Sequence, residues 1–270
     1  MKHKIRKAAG LALCAGLLAA ALDVRLKVVT YVIASAKLTS PVRLAVLSDL
    51  HSCAYGENQK TLLEAVSAQS PDAVLLAGDI VDDDFPEENA WTVIRALTAA
   101  YPCFYVTGNH EWWSGGAERI CRQMEAYGVT VLQGESVSLA LNNQTVTICG
   151  VDDPDSGQSV KQLEAVGGAV DGSAYTILIA HRPERFAFYQ RYPFDLIVCG
   201  HAHGGQWRIP GLLNGLYAPG QGLFPSHAGG RYDFDGGTLL VSRGLAREST
   251  RVPRIFNRPE LVVADIIPEA

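Results

Sequence analysis

The residues most able to do chemistry recur in short polar clusters, each closing a short apolar run. Ser48-Asp49-Leu50-His51 follows Val42–Leu47, Gly78-Asp79 follows Ala73–Ala77, and Gly108-Asn109-His110-Glu111 follows Cys103–Val106. His181 closes the run 175–180, and Gly200-His201-Ala202-His203 closes Leu196–Cys199. Among these, Asp49, His51, Asp79, Asn109, His181, His201 and His203 are hard or borderline metal donors. Imidazole, carboxylate and amide together suit Mn, Fe, Zn or Ni better than Ca or Mg. The set serves two ions fully if one carboxylate bridges them. Two ions ~3.5–4 Å apart activate a water and clamp an in-line displacement at phosphorus. Two divalent ions outweigh the charge of Asp49 and Asp79 and leave a pocket of about +2, an anion trap within an acidic chain. A lone Asp-x-His or Asn-His pair is weak, since short motifs arise by chance; their joint placement at the ends of apolar runs is what carries the reading.

Runs of 4–8 apolar, β-branched-rich residues bounded by glycine or polar residues read as buried strands. The spacing predicts further strands at 146–151, 238–241 and 261–267. Helix-like stretches lie between them at 59–69, 87–100, 117–127 and 183–190. Alternating strands and helices mean an α/β fold. In such sheets ligands bind beyond the carboxyl ends of the strands, which is where the clusters fall. A strand continued through Asp49 and His51 points both to one face, and His201 with His203 repeats that spacing.

The composition sets the frame. With 270 residues, 48% hydrophobic and 19% charged, the chain is long enough for a sizeable core and is not a disordered polymer. Its net charge is −5, but Lys2, Lys4, Arg6 and Lys7 are clustered; without them the balance is 19 basic against 28 acidic residues, or −9. An acidic body argues against nucleic acid as a partner. The six cysteines form no CxxC pair, which argues against a cysteine zinc site and a disulfide framework. Behind the basic start, residues 8–22 carry no charge. This segment reads as a single membrane anchor with a cytoplasmic N-terminus and the catalytic body outside. The alternatives are a cleaved signal peptide, with Ala19-x-Ala21 as its site, or a buried helix. The expected organisation is residues 1–23 as anchor or signal segment and 24–270 as one domain.

Asp49-x-His51, Gly78-Asp79-x-x-Asp82, Gly108-Asn109-His110-Glu111, His181 and Gly200-His201-x-His203 resemble the five blocks of the calcineurin-like metallophosphoesterase superfamily, intact and in order. Gly204-Gly205-Gln206, Arg208-Ile209-Pro210-Gly211, Val241-Ser242-Arg243-Gly244 and Asn257-Arg258-Pro259-Glu260 are similar to a membrane-associated bacterial branch. That branch includes general phosphodiesterases, UDP-diacylglucosamine hydrolases and cell-wall-associated members. The resemblance implies a four-layer α/β/β/α sandwich, here with an N-terminal hydrophobic helix. It implies a first metal on Asp49, His51, Asp79 and His203, and a second on Asp79, Asn109, His181 and His201. It makes His110 the catalytic histidine, with Asp82 and Glu111 orienting the ligands or His110.

The function expected from this is two-metal hydrolysis of a phosphodiester or pyrophosphate bond, in a lipid-linked or cell-envelope substrate. The competing readings are a phosphomonoesterase or protein phosphatase on the same scaffold, and a catalytically silent binding module. Arg182, Arg208 and Arg243 are candidates for holding a second phosphate. Asp83 and Asp84 read as a solvated loop, and Trp112 and Trp113 as core residues.

Overall fold

The computed structural model describes residues 2–247 and 252–269. In chain order the elements are α1 (Lys2–Ala21), β1 (Lys27–Ser35), β2 (Val42–Leu47), α2 (Lys60–Ser67), β3 (Ala73–Ala77), α3 (Glu88–Thr98), β4 (Cys103–Val106), α4 (Asn109–Trp113), α5 (Ala117–Ala126) and β5 (Thr130–Val131). Then follow β6 (Ser136–Leu141), β7 (Gln144–Gly150), α6 (Ser159–Ala169), β8 (Tyr175–Ile179), α7 (Phe186–Tyr189), β9 (Leu196–Cys199), β10 (Tyr217–Ala218), β11 (Gly222–Leu223), β12 (Gly230–Phe234), β13 (Gly237–Val241) and β14 (Glu260–Pro268).

Two six-stranded sheets result. The first has the order β1-β14-β2-β3-β4-β5, the second β12-β13-β9-β8-β7-β6. Strands β2 to β5 are mutually parallel, as are β7, β8, β9 and β13. The alternation of side chains along each strand explains the layering. Leu44 and Val46 of β2 face inward with Leu75 of β3 and, from the second sheet, Ile177 of β8 and Val198 of β9. Their neighbours Ala45, Leu47, Val74 and Leu76 face outward, where Leu62, Val66, Ile94 and Ile120 of α2, α3 and α5 cover them. On the opposite outer face Leu178 and Ile197 meet Leu163 and Val166 of α6 and Tyr189 of α7. The order is thus helices, sheet, sheet, helices, a mixed α/β fold with largely parallel sheets.

The parallel strands of both sheets deliver their carboxyl ends to one edge. Six strands were not anticipated: β1, β5, β6 and β12, which are the edges of the two large sheets, and β10 and β11, which form a separate two-stranded pair. Helices α4 and α6 were not anticipated either.

One expectation is overturned. No helix among the described residues is long and apolar enough to cross a membrane. Helix α1 does form, but Lys2, Lys4, Arg6 and Lys7 occupy its first two turns. The alanine-rich remainder spans about 21 Å at ~1.5 Å per residue, short of the ~30 Å hydrocarbon layer. The spanning anchor, and the placement of the catalytic body across a membrane that depended on it, are therefore withdrawn.

Candidate metal centre

The candidate ligand residues do not lie on extended strand. Strand β2 stops at Leu47, and β9 at Cys199. Asp49, His51, Asp79, His201 and His203 then adopt left-handed backbone conformations, with φ between 46° and 64°. The expectation that Asp49 and His51, or His201 and His203, share a face through strand periodicity is corrected accordingly: tight turns, not a pleat, aim these side chains. Non-glycine residues in this region cost on the order of 1 kcal/mol or more each. Backbone bonds hold the turns in place, with Asp49 N–H donating to Gly78 O and His51 N–H to Asp79 O, each at 3.0 Å. Gly78, at φ +82°, is required twice over, because a Cβ there would also sit 2.5 Å from His181 Nδ1.

Two triads meet at one oxygen. Ligand atoms of Asp49, His51 and His203 lie within 4.8 Å of one another, and so do those of Asp79, His181 and His201. Asp79 Oδ2 is 3.0 Å from His181 Nε2 and 3.7 Å from His51 Nε2. The other Asp79 oxygen accepts His110 N–H at 2.9 Å, which seats the neighbouring Asn109 at the same edge. All of these residues are buried or nearly so. Yet Asp49 Oδ2, His51 Nε2, Asn109 Oδ1 and His201 Nε2 have no hydrogen-bond partner. A buried polar atom without a partner costs about 1–3 kcal/mol, so convergent orphan lone pairs fit the binding of a cation. The donor set fits divalent metal ions.

Two of the histidines already hold the form that use needs. Burial holds His201 and His203 well below the ordinary histidine range, with His181 and His51 respectively adding to it, in the neutral form that ligates metal. Burial also opposes a charge on His181, but the Asp79 carboxylate outweighs it and pushes the imidazole up to about 10. Burial acts against the Asp79 anion as well, and His181 overrides it, holding the carboxyl well below the usual range. Asp49 is raised, chiefly by burial and further by Asp79.

The partners around this centre are specific. His51 Nδ1 contacts Asp82 Oδ2 at 2.8 Å, which turns Nε2 toward the cluster. His181 Nδ1 donates to Ala77 O at 2.8 Å with the same effect. Glu111 is fully buried, and its carboxylate accepts four backbone N–H bonds, from Asp79, Ile80, Val81 and Gly108 at 2.8–3.1 Å. It therefore shapes the loop that carries Asp79. His110 is partly exposed at the cavity wall, and its Nδ1 contacts Asp83 Oδ1 at 2.5 Å. Asp82 is farther from it, at 3.7 Å.

Sequence reasoning missed two residues here. Asp83, read as a solvated loop residue, faces His110. Glu184 was not singled out, although it lies three positions past His181; its Oε1 is 3.7 Å from His201 Nε2, and its Oε2 is buried without a partner. Position in a ligand-bearing loop was the available signal. The three arginines do not reach the centre as free phosphate clamps. Arg182 is held by Asp153 and Asp155, Arg243 by Glu260, and Arg208 by Asn214. Trp113 is not core: it is 59% exposed and lines a cavity of about 740 Å³ beside His51, His110 and His203.

Residues 42–205 match the model of the calcineurin-like phosphoesterases. The metallophosphoesterase YkuE of Bacillus subtilis, uncharacterised, is 28% identical over 228 residues, covering 82% of this chain and 77% of YkuE. Phosphodiesterase YaeI of Escherichia coli is 27% identical over 235 residues, covering 84% and 83%. An uncharacterised Helicobacter pylori metallophosphoesterase is 29% identical over 184 residues, 63% of this chain but 46% of that protein, so this chain spans about half its length. In fold alone, the chain is similar to phosphopantetheinyl hydrolase PptH of Mycobacterium tuberculosis (TM-score 0.51, 15% identity, 81% of this chain and 96% of that one). It is likewise similar to a dimetal phosphatase of Danio rerio (TM-score 0.52, 13% identity, 76% and 88%). With the five motifs converging at one sheet edge and the family match covering more than half its length, the chain belongs to the calcineurin-like phosphoesterases, metal-dependent hydrolases of phosphoesters.

Proposed function

We propose that this protein hydrolyses a phosphodiester or pyrophosphate bond with two divalent ions. Asp49, His51, Asp79 and His203 hold the first, Asp79, Asn109, His181 and His201 the second, and His110 is the catalytic histidine. The observation that carries the reading is the single oxygen Asp79 Oδ2, placed between a histidine of each triad at 3.0 and 3.7 Å. When bound, the ions supply Lewis-acid activation of water and neutralise charge on the phosphoryl oxygens.

The chain's own residues do the rest. Asp82 and Ala77 O orient the imidazoles of His51 and His181. Asp83 orients His110 through Nδ1, which leaves Nε2 for the departing oxygen, to which His110 delivers a proton as general acid. Glu111 fixes the Asp79 loop so that the shared oxygen stays in place. In its narrower form the reading makes the ester lipid-linked or part of a cell-envelope polymer; apolar side chains beside the centre support the lipid-linked version.

The test compares bis-p-nitrophenyl phosphate with p-nitrophenyl phosphate, after chelation and after return of Mn, Fe, Zn or Ni, alongside metal analysis. Two equivalents of metal and a higher kcat/KM on the diester are expected. Faster turnover of the monoester moves the assignment to a phosphomonoesterase, and full metal content without turnover of either leaves a binding module.

A further inference from the structure

The cavity beside the centre is far larger than a phosphoryl group needs. Its volume of about 740 Å³ is that of a site for a whole organic ligand. His51, His110 and His203 line it, together with an aromatic group of Phe85, Trp113, Trp207 and Tyr217, all four exposed.

The two tryptophans have no polar group left to offer. Trp113 Nε1 donates to Asp155 Oδ2 at 2.8 Å, and that carboxylate is itself fixed by Arg182 at 2.8 Å. Trp207 Nε1 donates to Pro253 O at 3.0 Å. With both N–H groups committed, the rings are held in place and present only carbon faces to the cavity. Each follows a site motif directly: Trp113 stands three residues after His110, with ring centroids 4.9 Å apart, and Trp207 four after His203. The apolar side is thus continuous with the reacting centre. The same cavity is lined by Asp82, Asp83 and Asp84, which disfavour a second anionic group away from the metals.

Building on the two-metal reading, we propose that the substrate is a phosphodiester carrying one uncharged apolar ester arm, and that Trp113 and Trp207 are the residues that select it. The phosphate sits at the metals as a monoanion. The arm lies across the indole faces, where a buried methylene is worth about fourfold in affinity.

The test uses the full chain and alkyl p-nitrophenyl phosphates, in which the leaving group is constant and the alkyl arm is methyl, butyl or hexyl. From methyl to hexyl, kcat/KM is expected to rise about thirtyfold, half the full transfer value of five methylenes. A 5-carboxypentyl arm should fall back to the methyl level. In Trp113→Ala with Trp207→Ala the rise should shrink to threefold or less. A flat series with measurable turnover of the methyl ester overturns the proposal and leaves the hydrolase reading standing. Titration calorimetry with hexylphosphonate and methylphosphonate reads the same preference without turnover. Equal affinities there overturn the proposal whether or not any ester is cleaved.

Discussion

At the scale of single residues, the proposed mechanism gives Asp79 and His110 different tasks, which measurement can separate. Asp79 offers one oxygen to both triads and the other to the His110 backbone. Asp79→Ala is expected to lose both metals and all activity, read by metal analysis. His110 belongs to neither of the proposed four-residue ligand sets, so His110→Ala should keep its metals while kcat falls about 10²- to 10⁴-fold, the range for a lost general acid. Full activity of His110→Ala on every ester the protein turns over would end that assignment. Asp83 acts through His110 at 2.5 Å. Asp83→Asn should lower kcat roughly tenfold with KM and metal content little changed. The seven proposed ligands stood out in the sequence because imidazole, carboxylate and amide side chains clustered where apolar runs stopped. Asp83 and Glu184 were not: an acidic residue in a polar loop looks the same whether it faces water or a histidine.

At the scale of elements, the strands of the inner layer were readable and their edges were not. Apart from exposed Arg43, Val42–Leu47, Ala73–Ala77 and Leu196–Cys199 are apolar on both faces because each sheet is covered twice, once by the other sheet and once by helices. Strand β1 mixes exposed and half-buried positions, and it pairs with β14, more than 230 residues away, which no local pattern announces. The turns after the strands were misread as extended because spacing by two is compatible with either geometry; aspartate and histidine are enriched in the left-handed region, but too weakly for residue type alone to announce it. Gly78 tests how tightly those turns are packed. Gly78→Ala should destabilise the fold by about 2 kcal/mol or more, from strained φ and from the contact with His181, seen as a lower Tm and weaker metal binding.

At the scale of the whole molecule, the acidic chain buries its one clustered imidazole–carboxylate centre among the described residues, and stability must follow proton and metal together. In the metal-free protein His181 is raised from 6.5 to about 10 by Asp79. Folding therefore gains from its protonation fully below pH 6.5 and loses that gain as pH climbs through about 10. The Asp79 carboxyl, held low, contributes in the opposite sense: its share is present above 3.8 and fades as pH falls further. Thermal melts of the metal-free protein should thus decline between pH 6.5 and 10, and His181→Gln should remove much of that slope. On the proposed ligand set metal loading would displace the His181 proton, so the loaded protein should lack this decline and release protons on binding.

The left-handed turns at Asp49, His51, Asp79, His201 and His203 also set a clock. Backbone held in sparsely populated conformations is the first to open when the restraint on it weakens. Stripped of metal, the amides of 49–52, 79–81 and 201–206 should exchange with deuterium by local opening, while the inner strands exchange only with global unfolding. Restoring metal should slow the same three segments together, since one shared carboxylate ties them. The centre then measures, on the timescale of minutes to hours, whether the protein is charged for work.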